Sequence, residues 1–228
     1  SIFDGGVGFN VSNAGLAVTQ GVEIESRISL SEHWYMTASL AWMEFEFKDY
    51  KDGLCTSSQK MEIYKLNDER DPTSEEILSF ENCTVLITEV PGSNTQIRTP
   101  QADLTGETNQ YVASFSGAIS LEYQNNITDK LLFKGGIDVN FTDEYHPTQN
   151  LDPALKQDGY EVYNIRLAII DDISEKWEVA LLGRNITDEK IVSYANDVPI
   201  SSGLFGTKTS YGFIQRTESW AVQAKYNF

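Results

Sequence analysis

No stretch of the 228 residues approaches the roughly 18–20 consecutive apolar residues that a membrane helix needs, so helical spans are excluded. Spans built from strands are not, because half of each strand points inward and tolerates polar residues. Basic residues are scarce: 17 Lys and Arg stand against 34 Asp and Glu, a net charge of −17. Phosphate backbones need clustered Lys and Arg, so the composition argues against nucleic acid as a partner. Catalytic signatures are missing too. There is no Gly-x-Ser-x-Gly, no phosphate loop and no His-Glu-x-x-His. An enzyme is the least supported class, and no cofactor is expected. Asp49-Tyr-Lys-Asp-Gly53 looks in passing like a calcium loop, but Lys51 stands where a ligand belongs.

Cysteine is limited to Cys55 and Cys83. In an oxidising compartment the two pair and close a loop of about 28 residues, which stabilises it by roughly 3–4 kcal/mol in the chain-entropy model. A zinc site needs more ligands, and the only histidines, His33 and His146, are distant in sequence. Both cysteines lie in an acidic segment. From Asp49 to Glu107, twelve acidic residues face five basic ones, a local balance of −7. A solvated, self-repelling loop accounts for this; a site for a cation is the sharper alternative. Ser1-Ile-Phe-Asp-Gly-Gly6 reads like the middle of a larger protein, so a C-terminal fragment is expected.

What the chain does have is alternation of apolar and polar residues, in seven stretches. In the first, Leu16, Val18, Val22, Ile24, Ile28 and Leu30 share a face opposite Glu23, Glu25 and Arg27. In the second, Trp34, Met36, Ala38, Leu40 and Trp42 share a face, and after Met43 the apolar positions shift phase to Phe45 and Phe47. A bulge, or a strand emerging above a membrane, explains such a shift. The third runs from Tyr111 to Tyr123, with Ala113, Phe115, Gly117, Ile119 and Leu121 between. Twelve residues at about 3.3 Å each, tilted by about 45°, rise roughly 28 Å, close to the height of a lipid-facing band with an aromatic at each interface. The fourth sets Leu131, Phe133, Ile137, Val139 and Phe141 against Lys134, Asp138 and Asn140. The fifth sets Tyr163, Ile165, Leu167 and Ile169 against Asn164 and Arg166, and the sixth sets Trp177, Val179, Leu181 and Gly183 against Glu178 and Arg184. The seventh ends the chain, with Trp220, Val222, Ala224, Tyr226 and Phe228 on one face and Ser219, Gln223, Lys225 and Asn227 on the other.

The connections alternate as well. Short turns are expected near Ser31, at Asn125–Asp129 and near Asp172. Long loops are expected at about 48–109, 142–159 and 185–216. The 48–109 segment, with Pro72, Pro91 and Pro100, reads as irregular and, by its length, functional. Outer-membrane barrels have short periplasmic turns and long extracellular loops. The fold class expected is therefore all-β: part of an antiparallel transmembrane β-barrel with about seven long strands and Phe228 at the periplasmic rim.

Three stretches carry a resemblance to the C-terminal part of the TonB-dependent outer-membrane receptors. They are Asn13-Ala14-Gly15 followed by Gly21-Val22-Glu23-Ile24-Glu25, Gly183-Arg-Asn-Ile-Thr-Asp-Glu189, and Trp220–Phe228. The resemblance spans nearly the full chain. It implies a barrel of about 22 strands around an N-terminal plug, with residues 1–228 its C-terminal segment and 48–109 a long extracellular loop. It also implies capture of a scarce nutrient by these loops, whether a ferric siderophore, another chelate or an oligosaccharide, and import with energy from the TonB complex through the N-terminal part. Under it, Glu23, Glu25, Arg27, Lys134, Asp138, Arg166, Glu178 and Arg184 line the lumen. Trp220, Tyr226 and Phe228 resemble the signal read by the barrel-assembly machinery. A plain solvated face, and plain anchoring in outer-membrane lipid, are the simpler readings of the same residues.

Ligand contacts are sought in the long loops, where Tyr50, Tyr64, Tyr194, Phe205 and Tyr211 are candidates for stacking on a sugar or an aromatic chelate; packing within their own loops is the alternative. The Cys55–Cys83 loop is expected to form part of the entry. A passive porin or adhesin-type barrel, or a secreted carbohydrate-binding β-sandwich, are the competing classes. Strand length argues against the sandwich.

Overall fold

The computed structural model describes residues 15–68, 75–198 and 208–228. Asn13, Ala14 and Phe205 lie outside them. The seven alternating stretches form seven long strands in one antiparallel sheet. β1 is Leu16–Ser29 and β2 is Trp34–Asp49. Between β2 and the next long strand lie a helix, α1 (Ser57–Asp68), and three short strands, β3 (Ser79–Phe80), β4 (Cys83–Glu89) and β5 (Gln96–Ala102). The long strands resume with β6 (Phe115–Thr128), β7 (Leu131–Thr142), β8 (Tyr160–Asp171) and β9 (Trp177–Arg184). A hairpin of β10 (Val192–Asp197) and β11 (Ser210–Ile214) precedes the last strand, β12 (Ser219–Tyr226). The sheet order is β1-β2-β6-β7-β8-β9-β12, a meander in which the other elements are insertions on one edge.

Register puts every apolar alternation on the same side. Val22 faces Trp42, Ile24 faces Leu40, Ile119 faces Val139, Ile137 faces Ile165, Leu167 faces Leu181 and Val222 faces Leu181 from the other side. This face is uncovered: Val22 is 58% exposed, Ile24 57% and Val222 74%. Monomeric soluble proteins rarely leave so broad an apolar surface open. Gly183 fits the pattern by lying opposite Trp220, where a Cβ would come within 2.7 Å of the indole.

The short turns share one edge, and each is closed by a side-chain oxygen. Ser31 Oγ accepts from the amides of His33 and Trp34 at 3.2 and 3.3 Å. Thr128 Oγ1 accepts from Lys130 N at 3.2 Å, and Asp171 Oδ1 from Ile173 N at 3.3 Å. On the opposite edge Asn185 ends β9 in the left-handed region (φ 47°), which Asn tolerates, and its side chain bonds both the amide and the carbonyl of Glu189. The Asn-Ile-Thr-Asp stretch is thus a tight strand exit.

Four expectations need correction. The 48–109 segment is folded, not irregular: Ile63 of α1, Val85 of β4, Ala102 and Leu104 pack with Phe47 around the Cys55–Cys83 disulfide. Its strands hide from alternation because β4 carries Val85, Leu86 and Ile87 in a row and β5 contains Pro100. The phase shift in β2 is no bulge, since pairing with β1 runs unbroken from Tyr35 to Phe47. Instead the apolar residues change sides, because Phe45 and Phe47 turn to the insertion's core while Glu44 takes over the other face and accepts from Gln20 Nε2 at 2.8 Å. Tyr111 is not in a strand; it sits at φ 59°, and its hydroxyl donates to the carbonyls of Pro147 and Ser193. The aromatic at that end of β6 is Phe115, with its ring 5.6 Å from Phe141, so the span measured between two tyrosines does not apply. Finally, β6 continues through Asn125 to Thr128 by an irregular register, which leaves Asp129–Lys130 as the turn.

The disulfide ties the chain entering α1 to β4, with both cysteines buried. Replacing both with serine in the full-length protein is expected to cost the insertion about 3 kcal/mol. Limited proteolysis will then cut within residues 56–82 at least tenfold faster, while the sheet keeps its resistance.

Candidate functional site

The three insertions on the loop edge meet at one buried carboxylate. Asp197, at the end of β10, is 5% exposed. Its Oδ2 accepts from the amide of Ser57 at 2.8 Å and from Asn150 Nδ2 at 2.8 Å, and its Oδ1 accepts from Ser210 Oγ at 3.2 Å. These donors come from α1, from the 143–159 loop and from β11. Ser57 is the first residue of α1, so the carboxylate also meets the positive end of the helix dipole. The helix start is itself well made. Thr56 and Gln59 form a capping box, with Gln59 N donating to Thr56 Oγ1 at 3.2 Å and Thr56 N to Gln59 Oε1 at 2.9 Å. Thr56-Ser-Ser-Gln59 is the sequence signal that could have announced this helix. Lys60, one turn on, has its pKa lowered by burial, partly offset by the Asp197 charge.

Beside this junction lies a cavity of about 610 Å³. The β2–β6 insertion supplies Ser58, Gln59, Phe80, Glu81, Asn82 and Glu107 to its wall. The 143–159 loop supplies His146, Asn150, Asp152 and Lys156, and Lys208 comes from the β9–β12 connection. Pro147, Thr148 and Asp152 are almost fully buried, and Leu151 is held in the left-handed region (φ 51°). Asp152 Oδ1 accepts from Ala154 N at 2.9 Å and opens a short 3-10 turn. Burial, and then the nearby Lys156 charge, holds the His146 imidazole below its ordinary pKa of 6.5, so it is neutral at pH 7.

The aromatic candidates are placed elsewhere. Tyr50 packs on the insertion's core, its ring 4.7 Å from Phe47. Tyr64 is half-buried beside Arg98 and Pro100, and burial pushes its hydroxyl up to about 12. Tyr194 and Tyr211 stand with Phe213 on the exposed face of the β10–β11 hairpin, ring centroids 6.1–6.2 Å apart. None of these tyrosines lines the cavity. The eight charged residues assigned to the polar face all lie on it: Glu23, Glu25 and Arg27 on β1, Lys134 and Asp138 on β7, Arg166 on β8, and Glu178 and Arg184 on β9. Arg166 and Glu178 form an ion pair. The cavity polar groups escaped sequence reading because they lie on separate loops joined only in the fold.

No family model and no curated protein matches the sequence. Among solved structures, the fold is similar to that of the ferric yersiniabactin uptake receptor FyuA from Yersinia pestis. The TM-score is 0.55 at 12% identity, over 93% of this chain and 24% of that one. It is also similar to the siderophore receptor PiuA from Acinetobacter baumannii, with a TM-score of 0.53 at 10% identity over 92% of this chain and 22% of that one. The chain thus spans about a quarter of the length of these proteins, and the likeness is one of fold.

Asp197→Ala leaves three donors without their acceptor and is expected to destabilise loop docking by about 3 kcal/mol. Asp197→Asn, which keeps one acceptor oxygen, costs less. Hydrogen exchange at Ser57 and in residues 147–152 will read the difference. A second expectation concerns pH. The folded loop resists protonation of His146 more than an unfolded loop does, so the unfolded form takes the proton first as pH falls through about 6.5. Docking of residues 147–152 is therefore at full strength above that pH and weakens below it. Proteolysis at pH 7.5 and 5.5 will show this, and His146→Gln will abolish the pH dependence.

Proposed function

We propose that this chain is the C-terminal part of the barrel of an outer-membrane uptake receptor, carrying three of its extracellular loops. The observation that carries the reading is the uncovered apolar face shared by seven long strands, with the charged residues on the other face and short turns and long insertions on opposite edges. A sheet immersed in lipid on one side and facing water or protein on the other has this distribution. A soluble sandwich would cover its apolar face with a second sheet. Strands of 12 to 16 residues in β1, β2, β6, β7 and β8 are also much longer than the usual 5–6.

On this reading Glu23, Glu25, Arg27, Lys134, Asp138, Arg166, Glu178 and Arg184 line the lumen and hydrogen-bond water or a plug. Trp220 and Tyr226 lie in the lipid interface, and with the fully exposed Phe228 they form the segment offered to the barrel-assembly machinery. Uptake draws its energy from the TonB complex through a part of the receptor outside this chain. The cavity between the insertions, walled partly by the disulfide-closed 56–82 segment, receives the small-molecule nutrient. Both structural neighbours are siderophore receptors, which supports uptake as the activity.

Deleting residues 56–82 from the full-length receptor is expected to reduce nutrient uptake at least tenfold while the protein still migrates as a heat-modifiable barrel in the outer-membrane fraction. Unchanged uptake would refute the role given to this loop. Recovery of a folded, detergent-free soluble product would refute the barrel.

A further inference from the structure

We propose that the cavity between the three insertions takes an uncharged ligand dense in hydroxyl groups, of the saccharide class, and not an anionic metal chelate. The inference rests on the uptake-receptor reading and adds the class of ligand.

Buried polar side-chain atoms almost always have a hydrogen-bond partner, and one left without costs about 1–3 kcal/mol. Three residues of this one wall break the rule. Ser58 Oγ, His146 Nδ1 and Asp152 Oδ2 are all buried and make no hydrogen bond. Asp152 is only 2% exposed, and its other oxygen is engaged by Ala154 N. Such groups on residues of one wall call for a partner that the protein itself does not supply. Leu151, next to Asp152, is held in the left-handed region (φ 51°), a backbone conformation that stores strain at this wall.

The chemistry of the three atoms narrows that partner. A carboxylate only accepts, whereas a neutral imidazole has one donor and one acceptor and a serine hydroxyl is both. A hydroxyl group, donor and acceptor at once, complements all three. An anion can accept from Ser58 or the imidazole but is repelled by the Asp152 carboxylate, and an ammonium group cannot accept from Ser58.

Charge argues the same way. Glu81, Glu107 and Asp152 line the cavity. Of its two lysines, Lys156 is paired with Glu144 at 2.5 Å, and Lys208 stands 4.0 Å from Asp152. A chelate of several negative charges would have to displace these pairs and still face three carboxylates. Phe80 in the wall offers an apolar face of the kind a sugar ring packs against.

The test uses the full-length receptor purified in detergent, after a heat-modifiable band in the outer-membrane fraction has established the receptor reading on its own. The protein is applied to an array of neutral glycans and titrated calorimetrically with the best binder and, separately, with a ferric tris-catecholate. We expect a neutral glycan to bind and the ferric complex not to. Asp152→Ala should weaken glycan binding about tenfold or more. Ser58→Ala, which disturbs no hydrogen bond of the loops, should weaken it about threefold or more. A silent array, glycan binding indifferent to both substitutions, or ferric tris-catecholate binding that the substitutions weaken would each overturn the proposal. Absence from the outer membrane would instead overturn the receptor reading.

Discussion

In a sheet that meets a nonpolar medium, backbone N–H and C=O groups have no water to turn to and must be paired strand to strand. In the receptor proposed here, that requirement shapes this chain. It demands unbroken ladders: β6 pairs with β7 without a break from Ser116 to Asn126, and β7 with β8 over its whole length. It allows irregular structure only beyond the ends of the strands, which is where α1, the short sheet and the β10–β11 hairpin are found. It also leaves two open edges, β1 and β12, where further strands must pair for a barrel to close.

Beyond the strand ends a different interaction takes over. The Asp197 carboxylate gathers donors from three insertions that alternation alone would leave independent. Its position at the start of α1 adds the helix dipole to the hydrogen bonds, so the insertions dock as one body over the sheet edge. The disulfide-centred core gives the largest insertion its own stability, and Phe47 of β2 anchors that core to the long sheet. The cavity lies where these bodies meet, and its wall sets amides, carboxylates and a neutral histidine among apolar residues such as Leu54, Phe80, Leu104 and Leu151.

Much of the fold was legible. Val22-Glu23-Ile24-Glu25 could only be a two-faced strand, and Ser31, Thr128 and Asp171 marked where strands reverse. Failures of sequence reading came where tertiary contact overrode period. Phe45 and Phe47 looked like a slipped register but answer to a neighbouring core. Tyr111 fell in phase with Phe115 yet belongs to a loop, held by carbonyls 36 and 82 residues away. The Thr56–Gln59 capping box was visible in the sequence but submerged in a run of charge and proline.

By itself the sequence determined which residues of the long strands share a face and that short turns and long loops alternate between the two edges. Those properties follow from a period of two and from local turn chemistry, and both are written between near neighbours. Only the tertiary structure decided that the acidic segment folds around the expected Cys55–Cys83 pair, and that Ser58, His146 and Asp152 share one wall. These depend on contacts between segments dozens of residues apart, made by single polar groups that leave no periodic trace.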